Sequence, residues 1–181
     1  MKKQNTKSMV RIALMTAILC CFGPITIVLP FSPIPFSLAS LALYLSSYLL
    51  GRKQAVISCL LYLLIGMIGI PVFSAFSAGP SKLFGPTGGY LIGYLLLTYI
   101  SGLFIEKNRS LLYMQILGMI VGTLGCYLLG TLWLCVQSGM TPLASFLVGV
   151  VPFLPGDCIK IILTCILGRS LYKRLLIAKV L

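Results

Sequence analysis

Six runs of apolar residues, at 10–29, 36–50, 54–70, 88–105, 110–137 and about 155–172, occupy most of this chain and leave little polar sequence between them. Apolar residues make up 59% of the 181 and charged residues 9%. A water-soluble chain of that length has too little interior to hide so much apolar surface, because a small globule is mostly surface. In lipid the difficulty disappears. A helix needs roughly 20 apolar residues to cross a bilayer, so six short spans use up the length and leave no room for a separate soluble domain. The runs are continuous rather than alternating, and only helices or closed barrels satisfy the backbone in lipid. The expected fold is an all-α integral membrane protein, with six transmembrane helices in one domain spanning residues 1–181.

Orientation follows from the cations. Lys2, Lys3, Lys7 and Arg11 precede the first run, Arg52 and Lys53 separate the second from the third, and Lys107 and Arg109 separate the fourth from the fifth. Arg169, Lys173, Arg174 and Lys179 end the chain. With six spans all of these fall on one side, and the opposite side receives Lys82 and Lys160. By the positive-inside rule the crowded side is the cytoplasm, so both termini are expected there. The formal charge of +12 is thus read as membrane orientation rather than nucleic-acid binding, since the cations form no single stripe. The first run lacks a small-x-small cleavage site and is expected to be retained as a span.

Two outer segments stand apart. Residues 71–86 are too broken by Gly, Pro and Ser for a helix and too aromatic, with Phe73, Phe76 and Phe84, for a freely solvated loop. Such a segment is expected to fold down onto the bundle as a lid or pocket wall. Residues 141–155 are apolar but interrupted by Gly149, Pro152 and Pro155, and are expected along the membrane interface.

Chemistry has few places to reside. The chain has two acids and no histidine, and its seven cysteines all fall in apolar runs without a C-x-x-C pair, as small buried hydrophobes do. No metal cluster, carboxylate pair or Ser–His dyad can be assembled, so no enzyme and no cofactor is expected. No G-x-x-x-x-G-K phosphate loop occurs either. Glu106 lies between cations at a cytoplasmic helix end, where a solvated role is expected. Asp157 differs: it opens the last run in L-P-G-D-C-I-K, with Lys160 three residues on and on the same helix face. It serves either as a cap complementing the helix dipole or as a ligand-binding carboxylate. The cluster Gly85-Pro86-Thr87-Gly88-Gly89-Tyr90 allows close backbone approach to a ligand, although Gly85, Gly89 and Gly93 also have the four-residue spacing of close helix packing. Gly118 and Gly122 repeat that spacing and are read as packing. Ala13 and Ala17 in the first run are either an internal packing seam or a flat face for a partner helix.

The stretch from Gly69-Ile-Pro-Val-Phe-Ser through Leu83-Phe-Gly-Pro-Thr-Gly-Gly-Tyr-Leu-Ile-Gly93, followed by Pro155-Gly-Asp-Cys-Ile-Lys160, resembles the BioY family, the biotin-specific substrate-binding subunits of energy-coupling-factor transporters. The likeness covers essentially the whole chain, including Ala13-x-x-x-Ala17. It implies a six-helix bundle in a bacterial cell membrane that binds biotin at its extracellular side. It also implies a separate transmembrane coupling protein and two cytoplasmic ATPases as partners, with Ala13 and Ala17 facing the coupling protein. In this reading Asp157 accepts from the ureido N–H groups of biotin, and Lys160 or Lys82 meets its carboxylate. Phe73, Phe84 and Tyr90 enclose the apolar part, with Ser74, Gly85 and Gly88 beside it. The family loop carries more glycine where this chain has Ala75, Phe76 and Ala78, and Phe76 is left out of the expected contacts. The alternative is a stand-alone secondary transporter or channel for a small organic solute, although no internal repeat is found.

Overall fold

The computed structural model describes residues 6–27 and 34–178; Lys2, Lys3, Lys179 and the far end of the first expected span, residues 28–29, lie outside them. Helix α1 (Thr6–Phe22) buries Ile12, Met15, Thr16 and Leu19 on one stripe. The Thr16 hydroxyl bonds Ile12 O at 2.9 Å and meets Ser58 Oγ at 3.1 Å, which satisfies a polar group in an otherwise apolar contact. The helix stops at Phe22, short of the expected end at residue 29. Gly23 and Pro24 explain this, since the residue before a proline is pushed out of the helical region and the proline itself carries no N–H.

The expected second span starts at Phe36, but Phe36 and Ser37 instead form a short strand, β2, antiparallel to β1 (Thr26–Ile27) with Thr26 opposite Ser37. Ser37 Oγ donates to Gly23 O at 3.0 Å and accepts the Ala39 N–H at 3.0 Å, tying this ribbon to the start of helix α2 (Ala39–Met67).

Helix α2 is not one rod. Gly51 sits at φ 75°, ψ 177°, a conformation that only glycine adopts cheaply, and the chain doubles back there. Ser47, before the break, donates to Thr98 O at 3.2 Å, while the Cys59 thiol, after it, lies beside the Thr98 side chain. A straight helix would hold Ala39 and Tyr62 about 35 Å apart, yet both line the same small chamber. The two arms, 39–50 and 52–67, are therefore separate helices that overlap the apolar runs at 36–50 and 54–70. Glu106 closes the turn: its Oε1 accepts the Arg52 N–H at 2.9 Å, and its Oε2 lies 3.4 Å from Arg52 Nε. It is half-exposed, but it holds the first N–H of the second arm rather than standing free in solvent.

Segment 71–86 contains a single 3₁₀ turn at Ser74–Phe76 and a one-turn helix α3 (Pro80–Leu83). Its first part is pinned to the bundle. The Tyr62 hydroxyl donates to Val72 O at 3.0 Å, the Phe73 ring stands edge-on to Tyr62 at 5.5 Å, and Gly79 N donates to Gly66 O at 2.8 Å.

Helices α4 (Gly88–Lys107) and α5 (Leu112–Ser138) form the tightest pair. A Cβ at Gly89, Gly93, Gly118 or Gly122 would collide with the facing helix, so these small residues set the close approach. Helix α6 (Pro142–Gly149), capped by the Thr141 hydroxyl on Ala144 N, packs on α5 and is bent 47° from helix α7 (Leu154–Ile177). One stripe of α7 is buried (Asp157, Lys160, Ile161, Thr164, Cys165 and Gly168), while Ile159, Ile162, Leu163 and Ile166 face outward. Among the described residues, three helices are long and apolar enough to cross a membrane, or four with the bent pair counted as one span. The charged ends collect together, because Arg52 meets Glu106 and the Arg109 guanidinium lies over the Tyr172 ring. Asp157 and Lys160 lie toward the other end, beside the β-ribbon.

Candidate ligand-binding site

At the ribbon end of the bundle a cavity of ≈ 60 Å³ lies among Phe36, Ser40, Tyr90, Tyr94, Tyr127, Asp157 and Lys160. A neighbouring chamber of ≈ 30 Å³ shares Ile34, Pro35, Ser37, Tyr90 and Tyr94 with it and reaches Ser74 and Thr87. Tyrosine and phenylalanine rings make the walls mostly apolar. The polar groups converge on one spot.

That spot is the Asp157 carboxylate, 8% exposed at the start of α7. Oδ2 accepts the Tyr127 hydroxyl at 2.6 Å, and Oδ1 accepts Lys160 Nζ at 2.9 Å and the Ser40 hydroxyl at 3.4 Å. None of these partners is a backbone N–H of α7, and the residue at the N-cap position is Phe153. Asp157 is thus not a side-chain cap of its own helix; it is held across the bundle by α2, α5 and α7. Lys160, 4% exposed, uses each of its three N–H donors within the protein: Ser37 O at 2.7 Å, Ser40 Oγ at 2.8 Å and Asp157 Oδ1. Its ammonium also sits 3.7 Å from the centre of the Phe36 ring, which stacks on Phe153 at 6.2 Å. A buried ion pair is tolerated when its charges are well hydrogen-bonded; all three Lys160 donors are used, while Asp157 Oδ2, with one donor, keeps an acceptor site. The arrangement orders Lys160 as the brace and Asp157 as the group presented to the cavity.

The other expected contacts distribute unevenly. Tyr90 lines both chambers, with its hydroxyl donating to Gly149 O at 3.2 Å and its ring against Gly130. Ser74 borders the smaller chamber. Phe73 is fully buried, but its ring packs on Tyr62 and Gly66 and belongs to the wall of neither chamber. Gly85 O accepts Trp133 Nε1 at 2.9 Å and Gly88 fits tightly beneath Leu83 O, so both shape the turn into α4 rather than the cavity wall. Phe84 is 60% exposed and Phe76 71% exposed, so neither encloses anything in this state. Lys82 is half-buried on α3, away from both chambers, and burial lowers its ammonium below the usual lysine pKa. Ala13 and Ala17 share an exposed face of α1, opposite the buried stripe.

Tyr127, Ser40, Tyr94 and Phe36 enter the site without having been singled out by sequence. Polar residues recur at helical spacing in the apolar runs, as in Ser40-Tyr44-Ser47 and Thr123-Tyr127. That signal is ambiguous, because Thr16, Ser47, Thr123 and Thr164 all bond the carbonyl four residues earlier.

Fold and cavity together define a helical membrane protein with a small internal cavity, walled by aromatic rings and bordered by one braced carboxylate, at one end of its bundle. A family model described as the BioY family matches residues 1–176, and the chain belongs to that family. It is 32% identical to a biotin transporter BioY of Lactococcus lactis over 94% of this chain and 93% of that one. It is 39% identical to biotin transporter BioY2 of the same organism, over 95% and 94%. A biotin transporter BioY of Thermotoga maritima is 32% identical over 92% of this chain and 96% of its own. A solved structure of the S-component for biotin from an ECF-type ABC transporter superposes with a TM-score of 0.86 at 31% identity, covering 96% of this chain and 94% of that one.

Proposed function

We propose that this chain is the biotin-capturing subunit of an energy-coupling-factor uptake system. It crosses the cell membrane six times, through α1, the two arms of α2, α4, α5 and α7, with both termini in the cytoplasm and the cavity facing out. The observation that carries this reading is the Asp157 carboxylate, buried on an apolar cavity wall and fixed by Tyr127, Ser40 and Lys160. A ureido ring offers two N–H donors inside an otherwise apolar bicycle, and a fixed carboxylate is a strong acceptor for them. Lys160 holds the acceptor in place, and Lys82, which lines neither chamber in this structure, meets the ligand's own carboxylate once its loop moves inward.

A cavity of ≈ 60 Å³ holds only a few water molecules. Biotin entry therefore requires the rings and the ribbon around the chambers to give way. The chain contains no phosphate-binding loop, so energy comes from partners: a transmembrane coupling protein seated on the Ala13–Ala17 face and two cytoplasmic ATPases.

Calorimetric titration of the purified chain with biotin, without ATP, tests this. Saturable binding that is lost in Asp157→Asn is expected. Absence of binding, or uptake into proteoliposomes by this chain alone, would overturn it in favour of a different solute or a stand-alone transporter.

A further inference from the structure

The opposite end of the bundle contains a second built feature. Between the α4–α5 connection and the last turns of α7 lies a cavity of ≈ 190 Å³ walled by Tyr48, Arg109, Gln115, Arg169, Tyr172 and Lys173. It adjoins a wider bay of ≈ 440 Å³ that shares Arg169 and Lys173 and is lined on its other side by Leu112, Cys165 and Ile166. Three cations thus face one space, and no carboxylate side chain is available to neutralise them. The chain's two acids are both engaged elsewhere, Glu106 with Arg52 and Asp157 with Lys160.

Arg109 is prepared rather than free. Its guanidinium lies 3.9 Å from the centre of the Tyr172 ring, and its Nη1 is buried without a hydrogen-bond partner among the described residues. Its backbone is held from behind, since Gln115 Nε2 donates to Arg109 O at 2.8 Å and to Asn108 O at 3.0 Å. The Tyr48 hydroxyl fixes Gln115 in turn, at 2.8 Å to Oε1. Arg169 and Lys173 stand one turn apart on α7, where like charges repel each other. A fixed donor without an acceptor, facing two like charges, has the chemistry of an anion site.

We propose that this bay binds the phosphate group of an anionic phospholipid, with Arg109, Arg169 and Lys173 around the head group and an acyl chain along Ile166 and Leu112. The apolar side of the bay favours a lipid over a soluble phosphate, and Ile166 and Leu112 are both exposed on the outer surface. Basic pockets between membrane helices on the cytoplasmic side are a recurrent solution for such head groups. The proposal rests on the topology given above, which puts this end at the inner leaflet.

The test uses the purified full-length chain in a neutral detergent, titrated with phosphatidylglycerol, phosphatidylcholine or inorganic phosphate, with thermal unfolding as the readout. Phosphatidylglycerol should raise Tm saturably, and the other two should not. Removing one cation near an anionic surface weakens attraction about fivefold, so Arg169→Gln with Lys173→Gln should raise the half-saturating phosphatidylglycerol about thirtyfold. Lys53→Gln with Lys107→Gln removes the same charge outside the bay and should leave it unchanged. An equal loss in both double variants, no loss in the first, or equal stabilisation by inorganic phosphate would each overturn the proposal. Biotin affinity measured on the same samples separates the two readings: lipid dependence without biotin binding sinks only the proposed function.

Discussion

Tyr127 donates its hydroxyl to Asp157 Oδ2 at 2.6 Å, joining the middle of α5 to the first turn of α7 across the cavity wall. This bond, with those from Ser40 and Lys160, turns a helix-end carboxylate into a fixed acceptor facing an apolar space. Asp157→Asn keeps the shape and removes the charge. A hydrogen bond to a charged group is worth about 1.5–3 kcal/mol, so biotin affinity should fall roughly 10- to 150-fold by titration calorimetry. Tyr127→Phe leaves the charge in place, and its effect on affinity should be the smaller of the two. Wild-type affinity in Asp157→Asn would remove Asp157 from the site.

Lys160 and Asp157 form a buried pair, so breaking it from one side should be worse than removing both charges. Lys160→Met leaves an uncompensated carboxylate and should destabilise by about 3–5 kcal/mol. Adding Asp157→Asn should restore most of that stability without restoring biotin binding. Thermal unfolding of the four proteins gives the cycle. Additive losses would mean that the two side chains do not act as a pair.

The turn at Gly51 carries a third expectation. A Cβ there would sit 2.1 Å from Glu106 Oε1, at a φ that L residues avoid. Gly51→Ala should therefore lower stability by at least about 1–2 kcal/mol. Glu106→Gln keeps an acceptor for the Arg52 N–H and should leave biotin affinity unchanged, because it lies at the far end of the bundle from the cavity.

The helices were legible because their runs are long and apolar, and the hairpin in α2 because Gly51-Arg52-Lys53 interrupts one such run. The end of α1 was misjudged by hydropathy, which does not register what Gly23-Pro24 does to a helix. The site was half legible. A lone Asp and Lys at helical spacing in an apolar run announce themselves through the cost of burying charge. Tyr127 and Ser40 do not, because a hydroxyl in a membrane helix satisfies itself on its own backbone as readily as it serves a ligand. Aromatic composition also misled in the 71–86 loop, where Phe73 packs inward on Tyr62 and Phe84 points out.

That loop also carries strain. Ala75 and Phe76 both adopt left-handed conformations, at φ 55° and 54°. Each costs roughly 1–2 kcal/mol relative to the right-handed region, and glycine would remove most of it. Ala75→Gly should raise Tm, less the entropy that a glycine adds to the unfolded chain. A lower Tm would show that the Ala75 methyl packs better than its backbone is strained.

Ala13 and Ala17 test the proposed coupling face. They lie on the exposed side of α1, while Ile12, Met15, Thr16 and Leu19 hold the helix to the bundle, so a larger side chain at either position meets no internal neighbour. Ala13→Trp and Ala17→Trp should fold, keep wild-type Tm and bind biotin normally. A helix that packs through small residues depends on close backbone approach, and an indole would hold the partner away. Co-purification with the coupling protein should then be lost in both variants. A retained complex would place the coupling surface elsewhere, and a drop in Tm would mean that this alanine face packs inside the bundle.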